Sequence, residues 1–219
     1  PSTGATGVAV DRNITITFNE AARKIDDSAL TDSNVDALIT LKTTNASGSD
    51  IGFDATINSG KTVITVNPTN DFTSEQVVYA AIGATVEDDA NNAISATSIT
   101  FTAADITAPA TPMGLVATAG NGKVVLTWDA NTESDFAHYR IYGGTSPGPT
   151  KSLAAGGVGL IFTDGTVTNG TKYYYRISAW DYSSNESDKT SDVSAVPTPQ
   201  KYAVKKDGTG DYTTIQAGI

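Results

Sequence analysis

The run YYYRISAW at residues 173–180 has the alternating pattern of a β-strand that faces a protein core. Successive side chains of a strand point to opposite faces, so the four alternate residues from Tyr173 to Ala179 share one face. Trp128 is the large apolar residue that can meet that face. The run therefore predicts the central strand of a two-sheet sandwich with Trp128 in its core.

Shorter strand-like runs surround this one and lie between two pairs of prolines. Asn121-Gly122, flanked by alternating residues, is a strong short-range signal for a β-hairpin. The prolines at 109 and 112 favour an extended spacer before the strands, and those at 197 and 199 end them. Residues 106–199 are therefore predicted to form one β-sandwich domain. Its other strands are expected within residues 115–117, 124–128, 139–142 and 193–196.

Several residues of this segment match a known sandwich pattern. They are the proline-led start, Trp128, Tyr139-x-Ile141-Tyr142, Val167, Tyr173 and the run Ala179-x-Asp181-x-x-x-Asn185-Glu186-Ser187. On these residues the segment resembles a fibronectin type III domain over essentially its full length, with Val167 where the family usually has leucine. The resemblance implies a tyrosine corner, in which the Tyr173 hydroxyl bonds the backbone near Val167 to Asn169.

Residues 1–105 show the same alternation in shorter segments. Ile14, Ile16 and Phe18 alternate with polar residues, and about seven such runs are separated by turns rich in Asn, Asp, Ser and Gly. This spacing predicts a second β-sandwich. Within it, residues 26–34 are expected to hold one short helical turn, with Asp27 or Ser28 as its cap.

Three runs of this first segment carry a further resemblance: residues 4–8 (GATGV), 13–20 (NITITFNE) and 86–93 (VEDDANNA). On these runs the segment resembles the Ig-like modules of bacterial surface-layer and adhesin-type proteins. The family usually has glycine where this chain has Asn91, and asparagine also tolerates a left-handed backbone. The overall fold class is thus predicted as all-β, with two tandem sandwiches.

The last residues, 200–219, belong to neither sandwich. Asp207-Gly208-Thr209-Gly210-Asp211 predicts a turn, and Thr213 or Thr214 can cap a helical run that stops at Ile219. The run DGTGDYTTIQAGI resembles the start of pectinesterases, and related polysaccharide lyases begin similarly. The resemblance implies a strand-turn-helix stub that opens a right-handed β-helix domain, cut off before the downstream catalytic carboxylates.

Composition excludes several classes of function. The net charge is -10, and 14 of the 24 acidic residues lie in residues 1–105, so nucleic acid and anionic membrane surfaces are disfavoured as partners. The absence of cysteine excludes disulfides and thiolate metal sites. No apolar run approaches the roughly 20 residues needed to span a bilayer.

One loop offers a candidate calcium site. Asp88, Asp89 and Asn91 place three oxygen-bearing side chains close together in the turn of residues 88–92. Ca²⁺ takes six to eight oxygen ligands, so these residues would supply part of a shell. The alternative is that the carboxylates bond their own backbone in an Asx turn. Calcium is the only cofactor that the sequence suggests.

A candidate carbohydrate site lies on the outer face of the predicted central strands. Aromatic rings on a flat sheet face can stack on sugar rings, and cations can pair with uronate carboxylates. The alternative is ordinary cross-strand packing on a solvent-facing sheet. The binding candidates are Tyr142, Tyr174, Arg176 and Trp180, with His138 and Arg140 on the same face.

No catalytic constellation is present in the sequence. The single histidine, His138, lies mid-strand without a carboxylate at triad-like spacing, and Gly143 to Pro149 lacks the lysine of a phosphate loop. We therefore expect no catalysis from this fragment. The predicted function is a non-catalytic spacer of a secreted or surface-bound bacterial enzyme that acts on pectin, with a downstream β-helix catalytic domain as partner. The alternatives are a carbohydrate-binding module, or a surface adhesin or layer protein.

Overall fold

The computed structural model describes residues 1–200, which divide into two compact units. The first unit is Pro1–Thr107 and the second begins at Ala108. Strands and irregular segments build both units, and the only helix among the described residues is a 3-10 turn, Asp36–Leu38. The fold is therefore all-β with tandem sandwiches, as predicted. The predicted β-helix stub at residues 200–219 lies, from Lys201 onward, outside the described residues.

Eight short strands form the first unit. They pair antiparallel in two three-stranded sheets, β1-β5-β4 and β3-β6-β8, and in a small β2-β7 ribbon. Their bounds are β1 Ile14–Thr17, β2 Arg23–Lys24, β3 Ile39–Thr43, β4 Phe53–Ile57, β5 Val63–Pro68, β6 Val77–Ile82, β7 Val86–Glu87 and β8 Thr97–Thr102.

The core of the first unit lies between its two main sheets. Alternate residues of β5 and β6 face it, and Ile64 and Val78 are completely buried. Phe72 and Phe101 meet edge to face with ring centroids 5.5 Å apart. The period-2 pattern of the sequence thus becomes the inward face of each sheet.

The short helical turn predicted at residues 26–34 begins later than expected, because the Asn34 and Val35 N–H groups donate to the Thr31 carbonyl at 3.0 and 3.1 Å. The predicted cap at Asp27 or Ser28 is wrong. The Asp26 carboxylate accepts bonds from the Ser28 backbone at 3.1 Å and from its hydroxyl, and Asp27 takes a positive φ of 67°. This local side-chain bonding competes with a helix and gives turns instead. The 3-10 turn begins later, at Asp36, and has no side-chain cap.

Seven strands form the second unit, in a three-stranded sheet β13-β10-β9 and a four-stranded sheet β12-β11-β14-β15. All pairings are antiparallel, and Asn121 and Gly122 form the predicted hairpin turn between β9 and β10. The bounds are β9 Val116–Gly120, β10 Lys123–Thr127, β11 Phe136–Gly144, β12 Ser152–Gly157, β13 Ile161–Asp164, β14 Tyr173–Asp181 and β15 Val193–Ala195.

β14 is the long strand predicted from the YYYRISAW run, and its inward face builds the second core. Tyr175, Ile177 and Ala179 have no exposed surface. Trp128 is 5% exposed and meets Tyr139 edge to face at 5.3 Å. The predicted core position of Trp128 is confirmed.

The tyrosine corner is also present. The Tyr173 hydroxyl accepts a hydrogen bond from the Thr168 backbone N–H at 3.0 Å. This bond ties the start of β14 to the loop before it, within the range that the resemblance implied.

Candidate functional site

The outer face of the four-stranded sheet carries the aromatic and cationic residues named from the sequence. The antiparallel register places His138 opposite Trp180, Tyr142 opposite Arg176, and Gly144 opposite Tyr174. Because the side chains alternate, these residues share the solvent-facing side of β11 and β14. The structure therefore brings Tyr142, Tyr174, Arg176 and Trp180 onto one face, with His138 and Arg140 beside them.

Trp180 lies in a cluster of its own neighbours. The His138 ring stacks on it at 5.9 Å with an interplanar angle of 12°, and the Arg140 guanidinium lies 4.2 Å from its ring centroid. Trp180 is half-buried as a result. A sugar would have to displace Arg140 or His138, or use the ring area that remains exposed.

Tyr142 is covered rather than open. It is 5% exposed, its hydroxyl donates to Glu186, and the Lys189 ammonium lies 4.7 Å from its ring centroid. Glu186 also accepts from the Ser178 hydroxyl at 2.7 Å. Burial acts to raise the pKa of Glu186, but the hydrogen bonds from Tyr142 and Ser178 and the charge of Lys189 hold it below its ordinary value.

The two remaining candidates also have partners within the chain. The Arg176 guanidinium forms an ion pair with Asp192 at 2.7 Å, and the Lys172 ammonium lies 5.0 Å from the Tyr174 ring centroid. The positive charge of Arg176 is therefore largely neutralised in place. Glu186, Lys189 and Asp192 are the residues on this face that the sequence analysis missed.

The segment of residues 186–190 positions those missed residues. It runs beside β14, and two hydroxyls accept bonds from strand N–H groups: Ser187 from Ala179 at 2.9 Å and Thr190 from Ile177 at 3.2 Å. In return the Ser187 and Thr190 N–H groups donate to the carbonyls of Ala179 and Ile177. Side-chain hydroxyls thus accept hydrogen bonds that backbone carbonyls accept in a regular β-sheet. The segment therefore lacks the alternation of apolar and polar residues by which a strand is predicted from sequence.

The candidate calcium loop forms an Asx turn. Asp88 Oδ1 accepts from the N–H groups of Ala90 at 2.7 Å and Asn92 at 2.8 Å, and Asp88 Oδ2 accepts from the Asn92 amide at 2.7 Å. Asn91, at a φ of 65°, accepts from the Arg23 guanidinium at 2.7 Å. The bonds from Asn92 keep the pKa of Asp88 below its ordinary value. Calcium binding by Asp88, Asp89 and Asn91 stays a prediction, and it would have to replace these donors.

The second unit repeats this turn. Asp181 Oδ1 accepts from the Asn185 N–H at 2.7 Å, Asp181 Oδ2 accepts from the Asn185 amide at 2.8 Å, and Ser184 has a φ of 72°. In each unit the turn joins two antiparallel segments that form a bridge just beyond it, Glu87 with Ala93 and Trp180 with Glu186. The recurrence indicates a hairpin-closing role for Asp88.

Comparisons with known proteins agree with this picture of the first unit. Residues 1–103 match the bacterial Ig-like domain family. Two relatives are polysaccharide-degrading enzymes by name. An amylopullulanase of Thermoanaerobacterium saccharolyticum is 45% identical over 95 residues, which are 42% of this chain and 7% of that protein. Exoglucanase B of Cellulomonas fimi is 32% identical over 172 residues, which are 72% of this chain.

The chain spans a small part of these two relatives, 7% of the amylopullulanase and 15% of exoglucanase B. Among solved structures, domains A168–A170 of titin align with 87% of this chain and 61% of their own, at 13% identity and a TM-score of 0.54. At that identity the similarity shows the fold alone, which is the tandem sandwich described above.

No helix within residues 1–200 has the length and apolar character to cross a bilayer.

Proposed function

We propose that this chain is a non-catalytic spacer and presentation region of a secreted bacterial enzyme that degrades a polysaccharide. The observation that carries the proposal is the 32% identity to exoglucanase B over 72% of this chain but only 15% of that enzyme. A match of that extent covers more than either unit alone and only a small share of the relative. Shared modules of this kind are expected outside a catalytic domain.

The chemistry of the described residues supports a scaffolding role. Two pairs of charged residues on the sheet face form ion pairs, Arg176 with Asp192 at 2.7 Å and Glu186 with Lys189 at 3.4 Å, and Arg140 packs over Trp180. The buried tyrosine hydroxyls bond to groups of their own unit. Side chains that are committed to one another stiffen a module, and they leave few groups free to act on a substrate.

Pectin is the substrate class that we propose for the parent enzyme. Its support is the resemblance of DGTGDYTTIQAGI to the start of pectinesterases, a run that lies outside the described residues. The two named relatives, an amylopullulanase and an exoglucanase, act by name on other polysaccharides. The spacer role is therefore proposed independently of the polymer.

The purified chain tests the spacer role directly. It is incubated with insoluble starch, cellulose and calcium-pectate gel, and both depletion from solution and release of reducing sugar or methanol are measured. We expect neither on any of the three polymers. Turnover of any polymer by the chain alone would overturn the non-catalytic assignment, and depletion by one polymer would favour a binding module.

A carbohydrate-binding role is the second candidate, because Trp180 keeps exposed ring area beside Arg140. The chain has only two tryptophans, so Trp128→Phe leaves Trp180 as the single tryptophan, which can be excited selectively. That variant is titrated with galacturonate, glucan and maltose oligomers up to millimolar concentration, after its melting curve has shown that it is folded. A saturable change that is lost in a Tyr174→Ala control would support sugar binding, and an unchanged spectrum would exclude it.

A further inference from the structure

The outer edge of strand β4 in the first unit is closed by two aspartate side chains. β4 is the last strand of the sheet β1-β5-β4, so every second backbone N–H points away from β5. The Ala55 N–H donates to Asp36 Oδ1 at 2.8 Å, and the Ile57 N–H donates to Asp32 Oδ1 at 2.8 Å. These are two of the N–H groups that an additional strand would need for pairing.

The geometry of the capping segment matches the strand that it covers. Asp32 and Asp36 are four residues apart in a turn and 3-10 segment, where one turn advances about 5–6 Å. Ala55 and Ile57 are two residues apart in a strand, which advances about 6.7 Å. Two carboxylates on this segment can therefore reach two successive outward N–H groups.

The capping segment is held in place by the core. Leu30 and Val35, on either side of Asp32, have no exposed surface. The Asn34 side chain accepts from the Thr31 N–H at 2.9 Å and donates to the Ala29 carbonyl at 3.1 Å. Asp32 and Asp36 are themselves exposed, and the backbone that carries them is held in place by these buried neighbours and local bonds.

Two other outer strands of the first unit are covered by backbone instead. In β8, Thr102 accepts from the Val8 N–H at 3.1 Å and donates to Ala5 at 2.8 Å. In β3, Leu41 accepts from the Ile51 N–H and Thr43 donates to Ser49, both at 2.9 Å. At β4, carboxylates supply the acceptors, so substitution of two side chains can remove the bonds that satisfy its outward N–H groups.

We propose that Asp32 and Asp36 lock the β4 edge against pairing with a second polypeptide strand, and that β4 of a second copy pairs with it when the lock is removed. β4 has alternating apolar residues, Phe53, Ala55 and Ile57, which suit an added antiparallel strand. Exposed edges with such a pattern are templates for association unless they are blocked.

Three double variants of the full chain test the lock. Asp32→Ala with Asp36→Ala removes both acceptors, and Asp32→Asn with Asp36→Asn removes the charges but keeps an acceptor oxygen. Asp11→Ala with Asp71→Ala removes two exposed charges elsewhere in the first unit. Light scattering after gel filtration measures mass against concentration. We expect concentration-dependent association in the double alanine variant alone.

Two outcomes would contradict the proposal that Asp32 and Asp36 block pairing at the β4 edge. One is a folded double alanine variant that stays monomeric at concentrations where proteins normally associate through free edges. The other is equal association by the double asparagine variant, because its acceptor oxygens are retained. Location is checked with a spin label on Thr56→Cys, since the chain has no other cysteine. Coupling between labels of two copies is expected in the alanine background, and association without coupling assigns the contact to another edge and contradicts the proposal.

Hydrogen exchange of the unaltered chain keeps the proposal testable if the double alanine variant fails to fold. The Ala55 and Ile57 amides should exchange at least about tenfold more slowly than exposed amides of the same unit, because they are bonded to carboxylates. In Asp32→Ala alone, the Ile57 amide should lose this protection while Ala55 keeps it. Exchange of both amides at the exposed rate in the unaltered chain would show that no lock exists.

Discussion

The first unit packs hydrocarbon side chains and phenylalanine rings, whereas the second also buries two tyrosine rings whose hydroxyls are hydrogen-bonded. Within residues 1–107, all of which are described, the buried core contains no tyrosine or tryptophan. In the second unit, the Tyr139 hydroxyl accepts from the Asn131 N–H at 2.7 Å and the Tyr175 hydroxyl donates to Asp164 at 3.0 Å. In the second unit, two tyrosines therefore both fill the core and form side-chain hydrogen bonds. In the first unit, the residues that fill the core are apolar, and other residues form the side-chain hydrogen bonds.

The Asx turn that occurs in both units also differs in burial between them. Asp88 and Asp181 form the same bonds to an asparagine four residues later. Asp181 is only 3% exposed, while the Asp88 loop is largely open to solvent. Loss of a bond to a buried group costs more than loss of a bond that water can replace. The second unit should therefore be more sensitive to removal of its polar groups.

The largest effect is expected from truncating one large aromatic side chain in each core. Trp128→Ala should lower the free energy of unfolding of the second unit by about 3–5 kcal/mol, and Phe101→Ala should do the same for the first, because both leave large cavities. Urea unfolding combined with hydrogen exchange assigns each loss to a unit. Wild-type-like unfolding of Trp128→Ala would contradict the core role of Trp128.

The next largest effect is expected at the two Asx turns formed by Asp181 and Asp88. Asp181→Ala should destabilise the second unit by about 2–3 kcal/mol, because the half-buried Asn185 N–H loses its bond to a buried carboxylate. Asp88→Ala should cost the first unit about 1 kcal/mol, since water can reach that loop. Thermal unfolding of both variants measures the difference. Equal losses would show that burial does not set the cost of this turn.

Removal of a tyrosine hydroxyl should cost more stability where its hydrogen-bond partner is buried than where the partner is exposed. Tyr175→Phe leaves the buried Asp164 carboxylate without one donor and should cost about 2 kcal/mol, whereas Tyr173→Phe frees an exposed Thr168 N–H and should cost about 1 kcal/mol. Burial, with the nearby charge of Asp164, raises the pKa of Tyr175. Ionisation of Tyr175 should therefore require unfolding, and Tyr175→Phe should remove its contribution from the absorbance change that accompanies alkaline unfolding.

The smallest expected effect is the acid dependence at Glu186. Its native pKa lies below the ordinary value, so its contribution is complete above about pH 4.3 and is lost as the pH falls through the native pKa. Glu186→Gln should reduce the acid-side slope of stability. Glu133, whose pKa a bond from Ala110 lowers, should keep part of the slope. An unchanged slope would show that Glu186 does not stabilise the fold.

Alternation in the sequence was sufficient to predict most of the strands. The YYYRISAW run, the Asn121-Gly122 hairpin and the tyrosine corner depend on residues that are close in sequence, so each carries its own signal. The cap predicted at Asp27 or Ser28 is wrong because aspartate and serine favour both a helix cap and an Asx turn. At Asp26 the turn prevailed, and the Ser28 hydroxyl bond lowers the pKa of Asp26 to about 2.

The candidate face shows where sequence reasoning stops. Alternation placed Tyr142, Arg176 and Trp180 on one side of the sheet, which the register confirms. It did not show that Glu186 and Lys189 cover Tyr142, because residues 186–190 bond to β14 through hydroxyls and have no strand pattern. Binding of sugar by this face and of calcium by the Asp88 loop stay predictions.

The sequence by itself determined that the chain is all-β, which residues point inward, and that Trp128 and β14 build one core, because strand periodicity and aromatic size are local properties. Only the tertiary structure decided which polar groups meet. The bonds from Ala55 to Asp36 and from Tyr142 to Glu186 join residues 19 and 44 positions apart. Such pairs depend on the register and packing of whole sheets, and no pattern along the chain encodes them.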